Sequence, residues 1–174
     1  MSERRWFSLR AGASNWLWLA LTVMLFDQWT KYLVTENLEE FEQITLLPVL
    51  EFMRLHNEGA AFSFLSNAGG WQRWLFVGLG VVVSGGILVW LRRLPAGGQS
   101  LLAAGLSLIL GGALGNVIDR VLWGHVIDFI RLHYDSHYFP AFNAADSAIT
   151  IGAALLILDN LLEYDRARAR AKKR

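Results

Sequence analysis

The sequence predicts an all-α membrane protein, a bundle of four transmembrane helices that forms one integral membrane domain over residues 1–174. Of the 174 residues, 54% are hydrophobic and only 18% are charged, whereas a soluble domain carries about 25% charged residues. Four apolar runs approach or exceed the ~17 residues that a helix needs to cross ~30 Å of hydrocarbon. These runs lie at residues 16–33, 71–91, 101–117 and 144–162.

The basic residues predict the orientation of these helices. Arginine and lysine concentrate in residues 1–15, in the 92–100 link and in the tail, whereas the link between the first two runs is acidic. The positive-inside rule therefore places both termini and the 92–100 link in the cytoplasm, with residues 34–70 and 118–143 facing outward. The basic tail is also suited to anionic lipid or nucleic acid, but beside a membrane span it more often sets topology.

The first run is predicted to remain in the protein as a helix. Basic residues precede it, as they do in a cleaved signal peptide. However, no A-x-A-like cleavage site follows it, and it contains Asp27 and Lys31, which a signal peptide does not tolerate well.

The outward link after the first run is predicted to hold two kinds of short element. Residues 44–47 and 49–52 flank Pro48 and are rich in strand-forming side chains, which favours two short strands. Residues 59–65 are apolar and end near two glycines, which favours a short amphipathic helix on the membrane surface.

The third run carries small residues at four-residue spacing, namely Ser107, Gly111 and Gly115. Such a stripe lies on one helix face and lets a neighbouring helix approach closely.

Polar residues are predicted to converge at one outer membrane surface. Asp27 lies beyond the middle of the first run, counted at ~1.5 Å per residue, and Lys31 follows one turn later, where the two can pair. The complete set is Asp27, Lys31, Asn57, Asn116, Asp119, Arg120, Asp128, Asn143 and Asp146. Ionisable groups in or beside a bilayer are costly and usually mark function.

Three pairs in this set also have structural interpretations. Asn143 and Asp146 fit a helix N-cap with an acid in the first turn of the helix. Asp27 and Lys31 fit an ion pair within a helix, and Asp119 and Arg120 fit an ion pair at the membrane interface. Asp128 is the hardest to explain structurally, because it stands between two apolar pairs and gains nothing there from solvent.

The chemistry open to this chain is narrow. It has no cysteine, no H-E-x-x-H and no G-x-S-x-G, which excludes thiolate chemistry and removes the usual zinc and serine-nucleophile motifs. His133 and His137 have i, i+4 spacing, but their polar surroundings favour a solvated loop over a metal site. Two close carboxyls remain, and such a pair shares a proton. The ionised member takes a proton from water while the protonated one polarises a carbonyl, which is peptide hydrolysis without metal or cofactor.

Five motifs occur in order along nearly the whole chain. They are Asp27-Gln28-x-Thr30-Lys31, Asn57-Glu58-Gly59-Ala60-Ala61-Phe62, Gly111-Gly112-Ala113-x-Gly115-Asn116-x-x-Asp119-Arg120, Gly124-His125-Val126-x-Asp128-Phe129 and Phe142-Asn143-x-Ala145-Asp146. Together they resemble the bacterial lipoprotein signal peptidase family, also called signal peptidase II, which are aspartic proteases of the inner membrane. One such motif would be weak evidence for the family, whereas five motifs in the same order on a matching topology are specific evidence.

The resemblance implies a role for each polar residue. It implies that Asp128 and Asp146 are the catalytic pair, and that neither a cofactor nor a metal takes part. The residues that it implies for substrate binding are Asn57, Asn116, Arg120 and Asn143. The residues that it implies for support of the site are Asp27, Lys31 and Asp119.

The resemblance also implies a fold, a substrate and a location. The fold is a four-helix membrane bundle with a small extracytoplasmic β-cradle and a short amphipathic surface helix, and we expect residues 59–65 to act as a lid. The substrates are prolipoproteins, cut just before a diacylglyceryl-modified cysteine. Membrane lipids are partners and nucleic acid is not. We expect a monomer in the bacterial inner membrane, with both termini cytoplasmic and the site near the periplasmic face.

Two other classes of protein remain as alternatives. A small transporter or proton-conducting protein also uses intramembrane acids, but such sites usually lie near the bilayer midplane, whereas most acids here are predicted at the outer edge. A purely structural subunit would not need so many converging amides and acids.

Overall fold

The computed structural model describes residues 13–59, 69–95 and 97–172. A short 3-10 turn at Ser14–Trp16 leads into the first of four helices, which are α1 Leu17–Asn37, α2 Trp71–Arg93, α3 Ser100–Leu122 and α4 Ala144–Ala171. The four strands are β1 Gln43–Leu47, β2 Leu50–Asn57, β3 Val126–Tyr134 and β4 His137–Tyr138. Apart from Gly59, the surface helix and lid predicted at 59–65 lie outside the described residues.

Within these residues, α2, α3 and α4 are long and apolar enough to cross a membrane. They coincide with the second, third and fourth runs predicted from the sequence. Helix α1 coincides with the first run. Because Asp27, Lys31 and Glu36 make it more polar, it is not among the three helices that are apolar enough to cross a membrane. The protein is therefore mostly helical, with three apolar membrane-span candidates and a small sheet.

Helix α3 is the centre of the bundle, since it packs against α1, α2 and α4. A Cβ atom added to Gly111 would lie 2.5 Å from the carbonyl oxygen of Ala20 on α1, and one added to Gly115 would lie 2.5 Å from Oδ2 of Asp27. Because no real side chain fits in that space, the predicted small-residue stripe is confirmed as the surface on which α1 packs.

The sheet is antiparallel, with strand order β1-β2-β3-β4. Strands β1 and β2 confirm the two strands predicted around Pro48. The third run, predicted at 101–117, ends too early, because α3 continues to Leu122; the residues after it form β3 and β4. His133 on β3 and His137 on β4 therefore belong to paired strands and not to a solvated loop.

Strand β3 is the part of the sheet that packs against the end of α1. Val34 and Leu38 at the end of α1 pack with Ile127 and Phe129 of β3 in one apolar cluster. Because residues on both faces of this part of β3 are buried, Asp128 is also enclosed. A second apolar cluster joins α1, α2 and α3 at the opposite end of the bundle and includes Ala20, Ile87, Leu91, Leu106 and Leu110.

Candidate active site

A buried ion cluster joins α1 to α3. Lys31 Nζ lies 2.7 Å from Asp27 Oδ2 and 2.8 Å from Asp119 Oδ2, and all three residues are no more than 2% exposed. Buried charges lose their hydration and need several hydrogen bonds to compensate. The backbone N–H of Ala145 donates to Asp27 Oδ1 at 2.8 Å, and Gln28 Nε2 donates to Asp119 Oδ1 at 2.7 Å. The predicted pairing of Asp27 with Lys31 is confirmed.

Asn116 connects this cluster to the acids of the cavity. Lys31 Nζ donates to Asn116 Oδ1 at 3.0 Å, and Asn116 Nδ2 donates to Asp146 Oδ1 at 2.8 Å. An ammonium group has donors only. It therefore holds the amide oxygen of Asn116 on its own side and turns the amide NH₂ group toward Asp146.

Asp128 is positioned by two asparagines from two different elements. Asn57 Nδ2, at the end of β2, donates to Asp128 Oδ2 at 2.8 Å. Asn143 Nδ2, just before α4, donates to Asp128 Oδ1 at 2.7 Å. The β2–β3 register brings this about, because it places Leu55 opposite Asp128 and so leaves Asn57 near the carboxyl. Each oxygen of this 1% exposed carboxyl thus has a donor.

Asp146 occupies the first turn of α4, where Asn143 caps the helix. The backbone N–H of Asp146 donates to Asn143 Oδ1 at 2.9 Å, and the backbone N–H of Asn143 donates to Asp146 Oδ2 at 3.3 Å. This reciprocal pair is a capping box and confirms the predicted N-cap. Asn143 can cap the helix and position a site residue at the same time. Its side-chain oxygen accepts from the backbone N–H of Asp146, while its NH₂ group donates to the carboxyl of Asp128.

Burial and charge change the acidity of Asp128. Loss of solvent contact and, to a smaller extent, the negative charge of Asp146 together raise the pKa of this carboxyl to about 7. The hydrogen bonds from Asn57 and Asn143 act against this rise. A carboxyl whose pKa is raised beside a second acid is suited to sharing a proton with it.

Arg120 turns away from Asp119 and toward the cavity. Its Nη2 donates to the carbonyl oxygen of Gly59 at 2.8 Å, and its guanidinium lies 5.1 Å from the ring centroid of Phe76. Its Nε is buried without a partner among the described residues. Asp119 pairs with Lys31 instead, so the interfacial Asp119–Arg120 pair considered from the sequence does not form.

Asp128 and Asp146 face one cavity of about 1030 Å³. Asn57, Asn116 and Arg120 also line it, and its remaining wall is largely apolar. That wall comes from β2, from α4 and from the segment before α4, and includes Met53, Leu55, Phe139, Pro140, Phe142 and Ile149. A cavity lined in this way offers polar groups for hydrogen bonds and an apolar surface for packing.

The structure brings all nine sequence-predicted residues into one hydrogen-bonded network. It runs from the ion cluster through Asn116 to Asp146, and through Asn143 to Asp128 and Asn57, with Arg120 Nη1 reaching the carbonyl oxygen of Asn116 at 3.4 Å. In residues 13–59, 69–95 and 97–172, no group of three or more His, Asp or Glu side chains is arranged to hold a metal ion.

Some residues at the site were missed by sequence reasoning. Gln28 received no role, although its position beside Asp27 in the first motif was a signal. The rings of His56 and His125 stack at 3.9 Å, and burial, followed by the charge of His56, lowers the pKa of His125. Their separation along the chain hides this contact from the sequence, as it hides the aromatic cavity wall near Phe139.

The chain is similar in sequence to known proteins of one family. The sequence model of a family described as signal peptidase (SPase) II matches residues 19–162. A lipoprotein signal peptidase from Acinetobacter baylyi is 51% identical over 152 residues, covering 87% of this chain and 84% of the relative. One from Pseudomonas putida is 51% identical over 152 residues, covering 86% and 88%.

Solved structures agree as well. One described as a bacterial membrane enzyme, determined by the in meso method at 2.3 Å resolution, matches with a TM-score of 0.78 and 29% identity, covering 95% of this chain and 96% of that one. A second, at 1.9 Å, matches with a TM-score of 0.73 and 30% identity, covering 92% and 98%. The chain therefore belongs to the signal peptidase II family.

Proposed function

We propose that this chain is an aspartic endopeptidase that removes signal peptides from prolipoproteins, cutting before a diacylglyceryl-modified cysteine. The observation that carries the proposal is that Asp128 and Asp146 face one cavity, where the side-chain amide of Asn143 donates to the carboxyl of Asp128 and accepts from the backbone N–H of Asp146. Membership of the signal peptidase II family supports the protease activity and the substrate class.

The environments of the two acids suit different protonation states. Asp146 accepts hydrogen bonds from Asn116 Nδ2 and from the Asn143 N–H at the start of α4, where the helix dipole favours a negative charge. Asp128 has a pKa of about 7 because it is buried. In the proposed mechanism Asp128 is therefore the acid that carries the proton before the reaction.

Hydrolysis then follows from these two states. The carboxylate of Asp146 takes a proton from a water molecule as its oxygen attacks the scissile carbonyl carbon, and Asp128 gives its proton to the carbonyl oxygen. When the C–N bond of the resulting gem-diol breaks, the amine nitrogen takes the proton from Asp146. One gem-diol hydroxyl returns a proton to Asp128, which restores the starting state.

The remaining site residues hold the substrate main chain. Arg120 and the NH₂ group of Asn116 point toward the cavity and can donate to peptide carbonyl oxygens. The apolar signal helix enters laterally from the bilayer beside α4, and its diacylglyceryl chains stay in the lipid. Asp27, Lys31 and Asp119 do not face the cavity, and their role is to fix the orientation of Asn116.

The membrane arrangement is part of the same proposal. Helix α1 is the fourth span, and its buried Asp27 and Lys31 face α3 rather than lipid. The four strands form the β-cradle on the periplasmic side of the inner membrane, with both termini cytoplasmic. The protein acts as a monomer.

Mass spectrometry of the cleavage products tests this function. Purified protein in detergent, with a metal chelator present, is mixed with a diacylglyceryl-modified prolipoprotein and with its unmodified counterpart. We expect a new N-terminus at the modified cysteine and no cut in the unmodified chain. A cut elsewhere, or equal cutting of both substrates, contradicts the proposed specificity, and no cut by folded protein contradicts the proposed function.

A further inference from the structure

The cavity extends from the two acids in two directions. One direction follows α4 along Ser147, Ile149 and Thr150, toward the apolar middle of that helix. The other follows the sheet, and we call this part the sheet arm; it is lined by Met53, Arg131, Tyr138, Phe139 and Pro140. The acids therefore lie between an apolar helix face and a partly polar strand surface.

The polarity of the substrate indicates which part of it lies in each direction, and this step rests on the proposed function. A signal helix is apolar and must remain beside α4. The chain after the scissile bond begins the polar mature protein, so it must leave on the opposite side of the acids. That side is the sheet arm.

Arg131 is held rigidly in the sheet arm. It stands directly opposite Glu51 across the β2–β3 pair, and its Nε and Nη2 donate to Glu51 Oε2 at 2.9 and 2.6 Å. Nη2 also donates to Gln43 Oε1 at 2.6 Å. The guanidinium lies 4.8 Å from the ring centroid of Tyr138. A side chain fixed on so many sides has already lost the freedom that binding would otherwise cost.

This arrangement leaves one end of Arg131 free to bind. Nη1 has no hydrogen-bond partner among the described residues. Because Glu51 neutralises the guanidinium, Nη1 is suited to a neutral acceptor such as a peptide carbonyl more than to an acidic side chain. Phe139 lines the same sheet arm and is 54% exposed although it is a large apolar residue.

We propose that the sheet arm binds the first residues of the mature segment after the cysteine, with Arg131 Nη1 donating to a main-chain carbonyl and Phe139 packing against the peptide. Recognition there is of the main chain, so it is tolerant of side-chain sequence. The length of the mature segment, and not its charge, then sets how tightly the substrate binds.

The test compares two lipid-modified substrates that differ only in length, with one or with six residues after the modified cysteine. We expect the wild-type KM to be about tenfold lower for the longer substrate, which one charge-assisted hydrogen bond with some apolar contact can supply. In Phe139→Ala, and in the double variant Glu51→Gln with Arg131→Gln, this ratio falls toward one. The double variant avoids leaving a buried Glu51 unpaired, and Arg166→Ala, at the far end of α4, keeps the wild-type ratio.

A KM ratio distinguishes binding from folding, because a smaller fraction of folded enzyme lowers the apparent kcat for both substrates and leaves KM unchanged. Equal KM values for both substrates in the wild type overturn the sheet-arm proposal alone. A tenfold ratio that survives in both variants overturns the assignment to Arg131 and Phe139. Failure of the wild type to cut either substrate overturns the proposed function, and the sheet-arm proposal with it.

Discussion

Lys31 Nζ lies 3.0 Å from Asn116 Oδ1, and this hydrogen bond joins the buried ion cluster to the proposed catalytic acids. Because Lys31 can only donate, it decides which end of the Asn116 amide faces Asp146. Residues that do not face the cavity thus determine the hydrogen bonding of a residue that does.

Replacing Lys31 by methionine tests the ion cluster. The change leaves Asp27 and Asp119 buried without a cation, so we expect a loss of about 3–5 kcal/mol in the free energy of unfolding. Thermal unfolding in detergent measures this loss. Arg166→Met removes an exposed ion pair with Glu163 and should cost less than about 1 kcal/mol. Equal stability of the two variants would show that the cluster does not stabilise the bundle.

Asn143 has two functions that one substitution can separate. Serine is also a good N-cap, so Asn143→Ser should keep the cap of α4, while both serine and alanine lose the buried hydrogen bonds from Asn143 Nδ2 to Asp128 and to the carbonyl oxygen of Ile127. The serine side chain is too short to reach Asp128, so kcat should fall by more than about tenfold. Alanine at this position should lose about 1 kcal/mol of stability as well. Activity close to wild type in the serine variant would mean that the Asn143–Asp128 hydrogen bond is dispensable.

The pH dependence of kcat/KM reports the proton on Asp128. The proposed mechanism needs a proton on Asp128, so activity should fall on the alkaline side as pH rises through about 7. The hydrogen bond from Asn57 favours the charged form of Asp128 and lowers its pKa. Its removal in Asn57→Ala should therefore move the alkaline limb to higher pH.

Asn37→Ala provides a matched control for that shift. Asn37 is exposed, and its side chain donates only to a carbonyl of its own helix. Its profile should coincide with that of the wild type. An alkaline limb in Asn57→Ala that stays in place or moves to lower pH would be inconsistent with the role given to Asp128.

The close approach of α1 to α3 can be tested at one glycine. An added Cβ at Gly115 would lie 2.5 Å from Asp27 Oδ2, so Gly115→Ala should destabilise the protein by about 1–3 kcal/mol through overpacking. Gly78 on α2 has open space around its Cβ position, and alanine there should stabilise by about 0.5–1 kcal/mol from helix propensity. Thermal unfolding that ranks the two variants in the opposite order would contradict this packing.

The parts of the fold that the sequence predicted are those that depend on local pattern. Apolar runs predict helices because length and composition decide whether a segment can cross a bilayer. The Asn143–Asp146 cap followed from spacing alone. Strand β3 was missed because its pairing partner β2 is remote in the chain, and because Arg131 and His133 make its second half look like a solvated loop.

The candidate site shows the same division. Its nine residues could be gathered from motif and predicted depth, but their hydrogen-bond partners could not. Asp119 has an arginine as its sequence neighbour and yet pairs with Lys31 on another helix. The packing of α1 on the glycines of α3 brings those two charges together. A contact between two helices cannot be predicted from the sequence pattern of either helix alone.

Cleavage of one diacylglyceryl-modified prolipoprotein by four proteins tests the proposed catalytic pair most directly: wild type, Asp128→Asn, Asp146→Asn and Asp135→Asn. The last is a matched control, since Asp135 is exposed in the β3–β4 turn with φ of 52°, a conformation that asparagine also accepts. We predict that wild type and Asp135→Asn cut at equal rates, while Asp128→Asn and Asp146→Asn, both folded, lose activity by more than about a thousandfold. Cleavage near the wild-type rate by either of those two variants would contradict hydrolysis by this pair of aspartates.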